Sequence, residues 1–205
     1  AGMKARFITF EGIEGSGKST QVKLLTQYLD QRSLPYLTTR EPGGTPIAEA
    51  IRKILLDPAC AEMLPETELL LYNASRAQHT GELILPALRE GKIVISDRYF
   101  DSTYAYQGAA RKLDYTVIDH LTAFATFNTT PDLTILLDLP AEAGLSRIGN
   151  RALDRLEQEN LEFHQKVREQ FLFIAKKCAS RYLVIDAQKA SDEIHQEIIR
   201  YIDFC

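Results

Sequence analysis

Arg6-Phe7-Ile8-Thr9-Phe10-Glu11-Gly12-Ile13-Glu14-Gly15-Ser16-Gly17-Lys18-Ser19-Thr20 is the stretch whose reading decides the fold. Arg6 to Glu11 alternates apolar and polar residues, the period of a strand. Gly12 to Ser19 then fits the spacing GxxxxGK[ST], and beyond it Val22, Leu24, Leu25, Tyr28 and Leu29 recur on one face of a helical pattern. Strand, glycine-rich loop and helix in that order are the context that makes this motif a phosphate-binding loop. The glycines allow a tight turn whose backbone N–H groups point at phosphate oxygens, and the helix N-terminus adds partial positive charge. Gly12, Ile13, Glu14, Gly15, Ser16, Gly17, Lys18, Ser19 and Thr20 are therefore the expected nucleotide-binding residues. Lys18 should reach the β- and γ-phosphates, and the Ser19 hydroxyl should serve Mg²⁺, with Thr20 as a weaker neighbour.

Outward from this loop, further β-rich runs occur at Tyr36 to Thr39, Ile93 to Ser96, Leu133 to Asp138 and Tyr182 to Asp186, separated by segments of helical periodicity. Parallel strands need crossover connections, and these pack as helices, so the class is α/β with five parallel strands. Phe163, Val167, Phe171, Ile174 and Cys178 share one face of a late helix and read as packing. Residues 3–205 read as one domain, since no repeat or Pro/Gly-rich linker divides them. Ala1 and Gly2 before Met3 read as an expression remnant.

Composition narrows the partners. The 205 residues carry 24 Lys plus Arg against 28 Asp plus Glu, a net charge of −4, so no global positive field is available for a nucleic-acid backbone. No apolar stretch approaches the ~18 residues of a membrane span, and no signal peptide is evident, so a cytosolic, membrane-free protein is expected. Cys60, Cys178 and Cys205 and the four histidines form neither a disulfide framework nor a metal-ligand spacing. Neither an NKxD guanine motif nor an LSGGQ segment occurs, which weighs against a GTPase or a transporter ATPase. Arg40 and Asp97-Arg98 instead follow the second and third strands, at the carboxyl ends where ligands of open parallel sheets bind.

FEGIEGSGKST (Phe10 to Thr20), REPGGT (Arg40 to Thr45), ELLLYNASRAQH (Glu68 to His79), DRYFDSTYAYQG (Asp97 to Gly108) and LDRLEQE (Leu153 to Glu159) together resemble the bacterial thymidylate kinases over nearly the whole chain. That resemblance implies a P-loop nucleoside monophosphate kinase fold with strand order 2-3-1-4-5, ATP and dTMP as substrates, and a homodimer. It puts Tyr72 where an aromatic residue stacks on thymine and Arg76 where an arginine addresses a base carbonyl. The i, i+4 spacing agrees, because it sets a flat π surface and a fork of donors on one helix face. It further implies that Asp97 holds the water shell of Mg²⁺ and Arg98 clamps the acceptor phosphate. Ser102, Thr103, Tyr106 and Gln107 belong to the nucleoside site, with Tyr106 beside the sugar and Thr103 or Gln107 near the base. Glu41 and Pro42 read as pocket wall, and Arg40 as a further contact to the acceptor phosphate.

In the family it resembles, the cation for transfer comes either from an arginine inside the loop or from basic residues on a lid; this loop contains no arginine, so the resemblance implies a lid at about 143–158. There Arg147, Arg151 and Arg155 would share one face of a continuous helix, with Gly149 and Asn150 as an interruption suited to a hinge. Glu14 is an acid inside a phosphate loop and therefore carries a role, at the sugar or around Mg²⁺; Asp154 and Glu157 pose the same question in the lid. Two rivals differ in kind. A nucleoside kinase would need a general base for a free 5′-hydroxyl, and a non-enzymatic P-loop switch would only bind nucleotide. Arg40 and Arg98 favour an acceptor that already carries a phosphate.

Overall fold

In the computed structural model, which describes residues 6–204, β1 (Phe7–Glu11) is the middle of five parallel strands. The strands β2 (Tyr36–Arg40), β3 (Ile93–Asp97), β4 (Leu133–Asp138) and β5 (Tyr182–Asp186) complete a sheet in the order β2-β3-β1-β4-β5. The register sets Phe10 beside Asp97 on one side and Ile135 on the other. Both faces of β1 are covered, and all five of its residues are buried, Glu11 included. The order 2-3-1-4-5 and the parallel α/β class are thus as expected. The readings of Ala1, Gly2 and Cys205 lie outside the described residues.

Nine helices cover the sheet among the described residues: α1 (Lys18–Gln31), α2 (Pro46–Leu56), α3 (Pro65–His79), α4 (Leu85–Arg89), α5 (Phe100–Thr103), α6 (Tyr115–Ala125), α7 (Ala141–Ile148), α8 (Leu161–Lys177) and α9 (Ser191–Phe204). A π-helical stretch, Tyr104–Ala110, continues α5. Local chemistry sets several starts. Thr45 caps α2 by accepting from the Ala48 N–H with Pro46 in the first turn, and Asn160 caps α8 by accepting from Phe163.

Of the apolar face foreseen on α1, Leu25 and Leu29 are fully buried, each contributing about 1.5–3 kcal/mol relative to exposure. Phe163, Val167, Phe171 and Ile174 of α8 join the same core. These helices and strands leave the carboxyl ends of β1, β2 and β3 facing one open cleft.

Candidate active site

The loop after β1 wraps its own lysine. Nζ of Lys18 donates to the carbonyls of Gly12 (3.2 Å) and Ile13 (3.1 Å) and lies 3.4 Å from Ser16 Oγ. Burial, with the Arg98 charge beside it, pushes its pKa down to about 8. Two glycines are fixed by close approach. A Cβ on Gly12 would stand 2.6 Å from the Leu137 carbonyl, and one on Gly15 2.3 Å from that of Gly144, at φ values of +141° and +75°. The loop therefore lies backbone against backbone on β4 at Gly12 and on α7 at Gly15, and no side chain fits between them.

A cleft of about 430 Å³ opens beside this loop. Glu14 to Thr20 line it, joined by Arg40, Glu41 and Pro42 from the end of β2, Asp97 and Arg98 from β3, and Ser102, Thr103, Tyr106 and Gln107 from the segment that follows. Tyr72 of α3, Arg52 and Leu56 of α2, and Arg147, Asp154, Leu156 and Glu157 complete the wall. Gly12 and Ile13 stand just behind it, Ile13 in the core and Gly12 through its carbonyl. Sequence segments some 90 residues apart thus meet because β1, β2 and β3 are neighbours.

Arg98 is the hub. It takes a left-handed backbone conformation, φ +71°, and its Nη1 donates to the Gly12 carbonyl (2.8 Å) and Ser102 Oγ (3.1 Å). Its Nη2 donates to Tyr106 Oη (3.1 Å) and Glu14 Oε1 (3.3 Å), while Tyr106 in turn donates to the same Glu14 oxygen at 2.6 Å. Burial works to raise the Glu14 pKa, but the adjacent His164, the Arg98 charge and the Tyr106 hydroxyl hold it well below the usual carboxylate range. An acid in this loop is therefore tolerated as an anion because it organises an arginine and a tyrosine.

One expected residue sits elsewhere than the sequence suggested. Arg76 does not line the cleft. It is fully buried behind it, donating Nε to Glu41 (2.7 Å), Nη1 to Thr103 Oγ1 (2.7 Å) and Nη2 to the Tyr99 carbonyl (3.2 Å), so that it holds two wall residues in place. Gln107 lines the cleft with its Nε2 turned to Glu68 (2.9 Å). Arg40 pairs with Glu49 and is half exposed.

The three lid arginines do not share a helix. α7 stops at Ile148, and Gly149 turns the chain with φ +71°, a backbone that ends a helix at little cost only for glycine. Arg147 faces the cleft and donates to the carbonyls of Gly15 (3.3 Å) and Ala187 (3.2 Å). Arg151 is exposed and chelates Glu157. Arg155 is buried, donating to the Leu55 carbonyl (2.8 Å) and pairing with Glu68 (2.6 Å).

The sequence reading passed over several residues that shape the site. Arg52 reaches the Pro42 carbonyl at 2.8 Å and joins Arg40 and Arg98 as a third guanidinium on the cleft wall beyond the loop. Glu68 binds Arg111 and Arg155 under the wall, and His79 joins Thr39 to Glu41. Glu11 is the one with a visible signal, an acid at the end of a strand that is otherwise all core. It accepts from the N–H groups of Tyr99 (2.9 Å) and Ser102 (3.3 Å) and from Ser102 Oγ (2.6 Å), with Arg98 at 3.7 Å.

Burial pushes the Glu11 pKa from 4.5 to about 7, against the pull of Arg98. A folded-state pKa above the unfolded one gives stability that is fully present below about pH 4.5 and lost as pH rises through 7. At roughly 1.4 kcal/mol per unit the interval is worth on the order of 3 kcal/mol. Urea denaturation from pH 5 to 8 should accordingly show the wild type losing stability relative to Glu11→Gln, whose side chain does not ionise. Parallel curves for the two proteins would sink this reading of the strand end.

The family model described as thymidylate kinase matches residues 10–198. A curated relative from Carboxydothermus hydrogenoformans, named thymidylate kinase, is 52% identical over 202 residues, 98% of either chain. Another from Symbiobacterium thermophilum, of the same name, is 48% identical over 96% of this chain and 92% of that protein. The crystal structure of thymidylate kinase from Ehrlichia chaffeensis superimposes with a TM-score of 0.78 at 36% identity, covering 97% of this chain and 98% of the other.

Proposed function

This chain belongs to the thymidylate kinase family, and on that premise we propose that its cleft carries the γ-phosphoryl group of ATP to the phosphate of dTMP, giving dTDP and ADP. The carrying observation is that the phosphate loop and three acceptor-side guanidinium groups, Arg40, Arg52 and Arg98, line a single cleft. An acceptor phosphate is already nucleophilic and needs its charge offset, whereas a free hydroxyl needs a base. Lys18, with the loop N–H groups, takes the β- and γ-phosphates of ATP. Arg98 meets the acceptor phosphate, with Arg40 and Arg52 beside it. Tyr72 stacks on thymine, with Thr103 and Gln107 at the base edge and Tyr106 against the sugar. Arg76 acts from behind, by fixing Thr103 and Glu41.

Ser19 and Asp97 offer hard oxygen donors on the same cleft. That donor set suits Mg²⁺, which keeps most of its water and takes one or two protein oxygens plus phosphate. Bound there, the ion would neutralise charge on the transferring phosphates. A cytoplasmic place of action accords with the use of ATP as donor.

A coupled assay of ADP release tests the reading. Turnover should require dTMP, with AMP, CMP and thymidine as poor acceptors. Equal turnover of thymidine or of AMP would overturn it, and so would hydrolysis of ATP that is indifferent to every acceptor.

For the lid, Arg147 is the arginine that lines the cleft, so Arg147→Ala should lower kcat by roughly 10²-fold or more, as loss of a transition-state cation does. Arg151→Ala should matter much less, and Arg155→Ala should act on stability by leaving Glu68 with one cation fewer. Saturating kcat values and thermal midpoints for the three variants separate these roles. A larger kcat loss in Arg151→Ala would return the transfer role to the exposed arginine.

The homodimer has a candidate face. Phe124 of α6 is 82% exposed, and Val117 of α6, Leu70 of α3 and Ile47 and Ile54 of α2 are exposed with it, on helices that pack in the succession α2, α3, α6. Exposed apolar side chains on neighbouring helices are the kind of surface a partner covers. A second copy of the chain covering these helices accounts for it, and sedimentation should find a wild-type dimer that Phe124→Glu converts to monomer. A monomeric wild type would dismiss the dimer, and a fully dimeric variant would dismiss this face.

A further inference from the structure

Helix α8 brings a histidine to the back of the phosphate loop that the transfer chemistry leaves without a task. His164 lies in the first turn of α8 between the core residues Phe163 and Val167, and its side chain is fully buried. Neither ring nitrogen has a hydrogen-bond partner among the described residues. Nδ1 stands 3.4 Å from Glu14 Oε2, and that oxygen is likewise buried without a hydrogen bond. The other oxygen of the same carboxylate takes both Tyr106 and Arg98.

Two orphaned polar atoms facing each other in a dry site are costly separately and cheap together. A leucine would satisfy the packing of α8 without that cost. A shift of a few tenths of an ångström turns 3.4 Å into an ordinary hydrogen bond. Arg98 and Lys18 put positive charge beside Glu14, and what the contact asks of His164 is an N–H donor at Nδ1.

We propose that His164 is a positioning residue, donating Nδ1–H to Glu14 Oε2 and so fixing the carboxylate that holds Arg98 and Tyr106 on the acceptor side of the cleft. The identity of the acceptor as dTMP rests on the function proposed above; the bond between His164 and Glu14 does not. Three consequences separate this role from packing. Losing the donor should weaken acceptor binding and spare ATP, since the residues Glu14 fixes face the acceptor. The loss should vanish once Glu14 is gone. An amide that places a donor near the position of Nδ1 should restore function.

The test is a double-mutant cycle on the full chain, read by calorimetric binding of dTMP and of ATP, with histidine-ring NMR beside it. His164→Leu should weaken dTMP binding roughly tenfold, the usual scale for one hydrogen bond to a charged group, and ATP binding less than twofold. In a Glu14→Ala background the same substitution should change dTMP binding less than twofold. His164→Asn should recover most of the wild-type affinity. The ring NMR of the wild type should show an Nδ1–H resonance for His164 that disappears in Glu14→Ala.

Equal losses for ATP and dTMP, additivity across the cycle, or no rescue by asparagine would each overturn the proposal. So would a His164 resonance unchanged by Glu14→Ala, which decides the matter even if His164→Leu fails to fold. Failure of the wild type to bind dTMP at all would instead overturn the acceptor assignment, with the ring resonance still reporting on the bond.

Discussion

Replacing Lys18 by alanine should abolish nearly all phosphoryl transfer, lowering kcat by about 10³-fold or more, on the scale of lost transition-state cations. The ammonium group is held by three oxygens of its own loop, and in the proposed reaction it meets the β- and γ-phosphates. Its pKa near 8 keeps it charged at neutral pH, and two or more phosphate charges raise that value further. The acceptor side stands on other groups: Arg98 keeps its bond to the Gly12 carbonyl and its contacts to Tyr106 and Glu14. Affinity for dTMP should therefore change less than about threefold. Folding should not suffer either, because removing a buried ammonium also removes its desolvation cost, so the thermal midpoint stays level or rises. A kcat within tenfold of wild type would refute the role, and a collapse in dTMP binding would show that the two halves of the cleft are not separable.

How far the sequence reaches depends on how local each determinant is. The phosphate loop is written within eight consecutive residues and its flanking periodicities, so both its place and its backbone are legible. The parallel class follows from alternation, and the strand order from resemblance. The lid is legible only in part. Four-residue spacing suggested one helical face for Arg147, Arg151 and Arg155, but Gly149 ends α7 between the first and second, and the glycine was visible beforehand. What was not visible is Glu68, 87 positions before Arg155, which draws that arginine into the interior. The placement of Arg76 behind the cleft has the same cause. Its helical partnership with Tyr72 is local, while Glu41, Thr103 and Tyr99, which claim its donors, come from the end of β2 and from the segment that follows β3.

The polar contact of His164 is not legible in the sequence because the residue occupies a core stripe, where pattern alone does not tell a packing ring from a polar one. Two of the cations that line the cleft are countered by acids: Arg40 by Glu49, and Arg98 by Glu11 and Glu14. Such pairing holds the arginines in place before substrate arrives, which lowers the ordering cost of binding.

Arg98→Ala should be the most damaging substitution in the acceptor half, because one guanidinium serves five partners at once. Glu11 and Glu14, on β1 and in the loop after it, would lose the cation they share. Breaking a buried ion pair from one side typically costs ~3–5 kcal/mol. Part of that is recoverable by protonation, so the variant should be more stable at pH 5 than at pH 8, by a larger margin than wild type. Activity should fall further than stability. With Tyr106 and the Gly12 carbonyl released and no charge for the acceptor phosphate, kcat/KM for dTMP should drop by roughly 10³-fold or more, while ATP binding stays nearer normal.

Lysine at 98 should restore little, since a point charge cannot span the Gly12 carbonyl, Ser102, Tyr106 and Glu14 together as the planar fork does. The left-handed backbone at this position is a modest further strain shared by arginine, lysine and alanine, and so does not distinguish them. Adding Glu14→Gln to Arg98→Ala should return stability at pH 8 without returning activity, because it removes an unpaired charge and supplies no cation. Denaturation at both pH values, with steady-state rates at saturating ATP, decides the matter. An Arg98→Lys protein with wild-type kcat/KM would show that charge alone is needed there, and that the fork geometry is incidental.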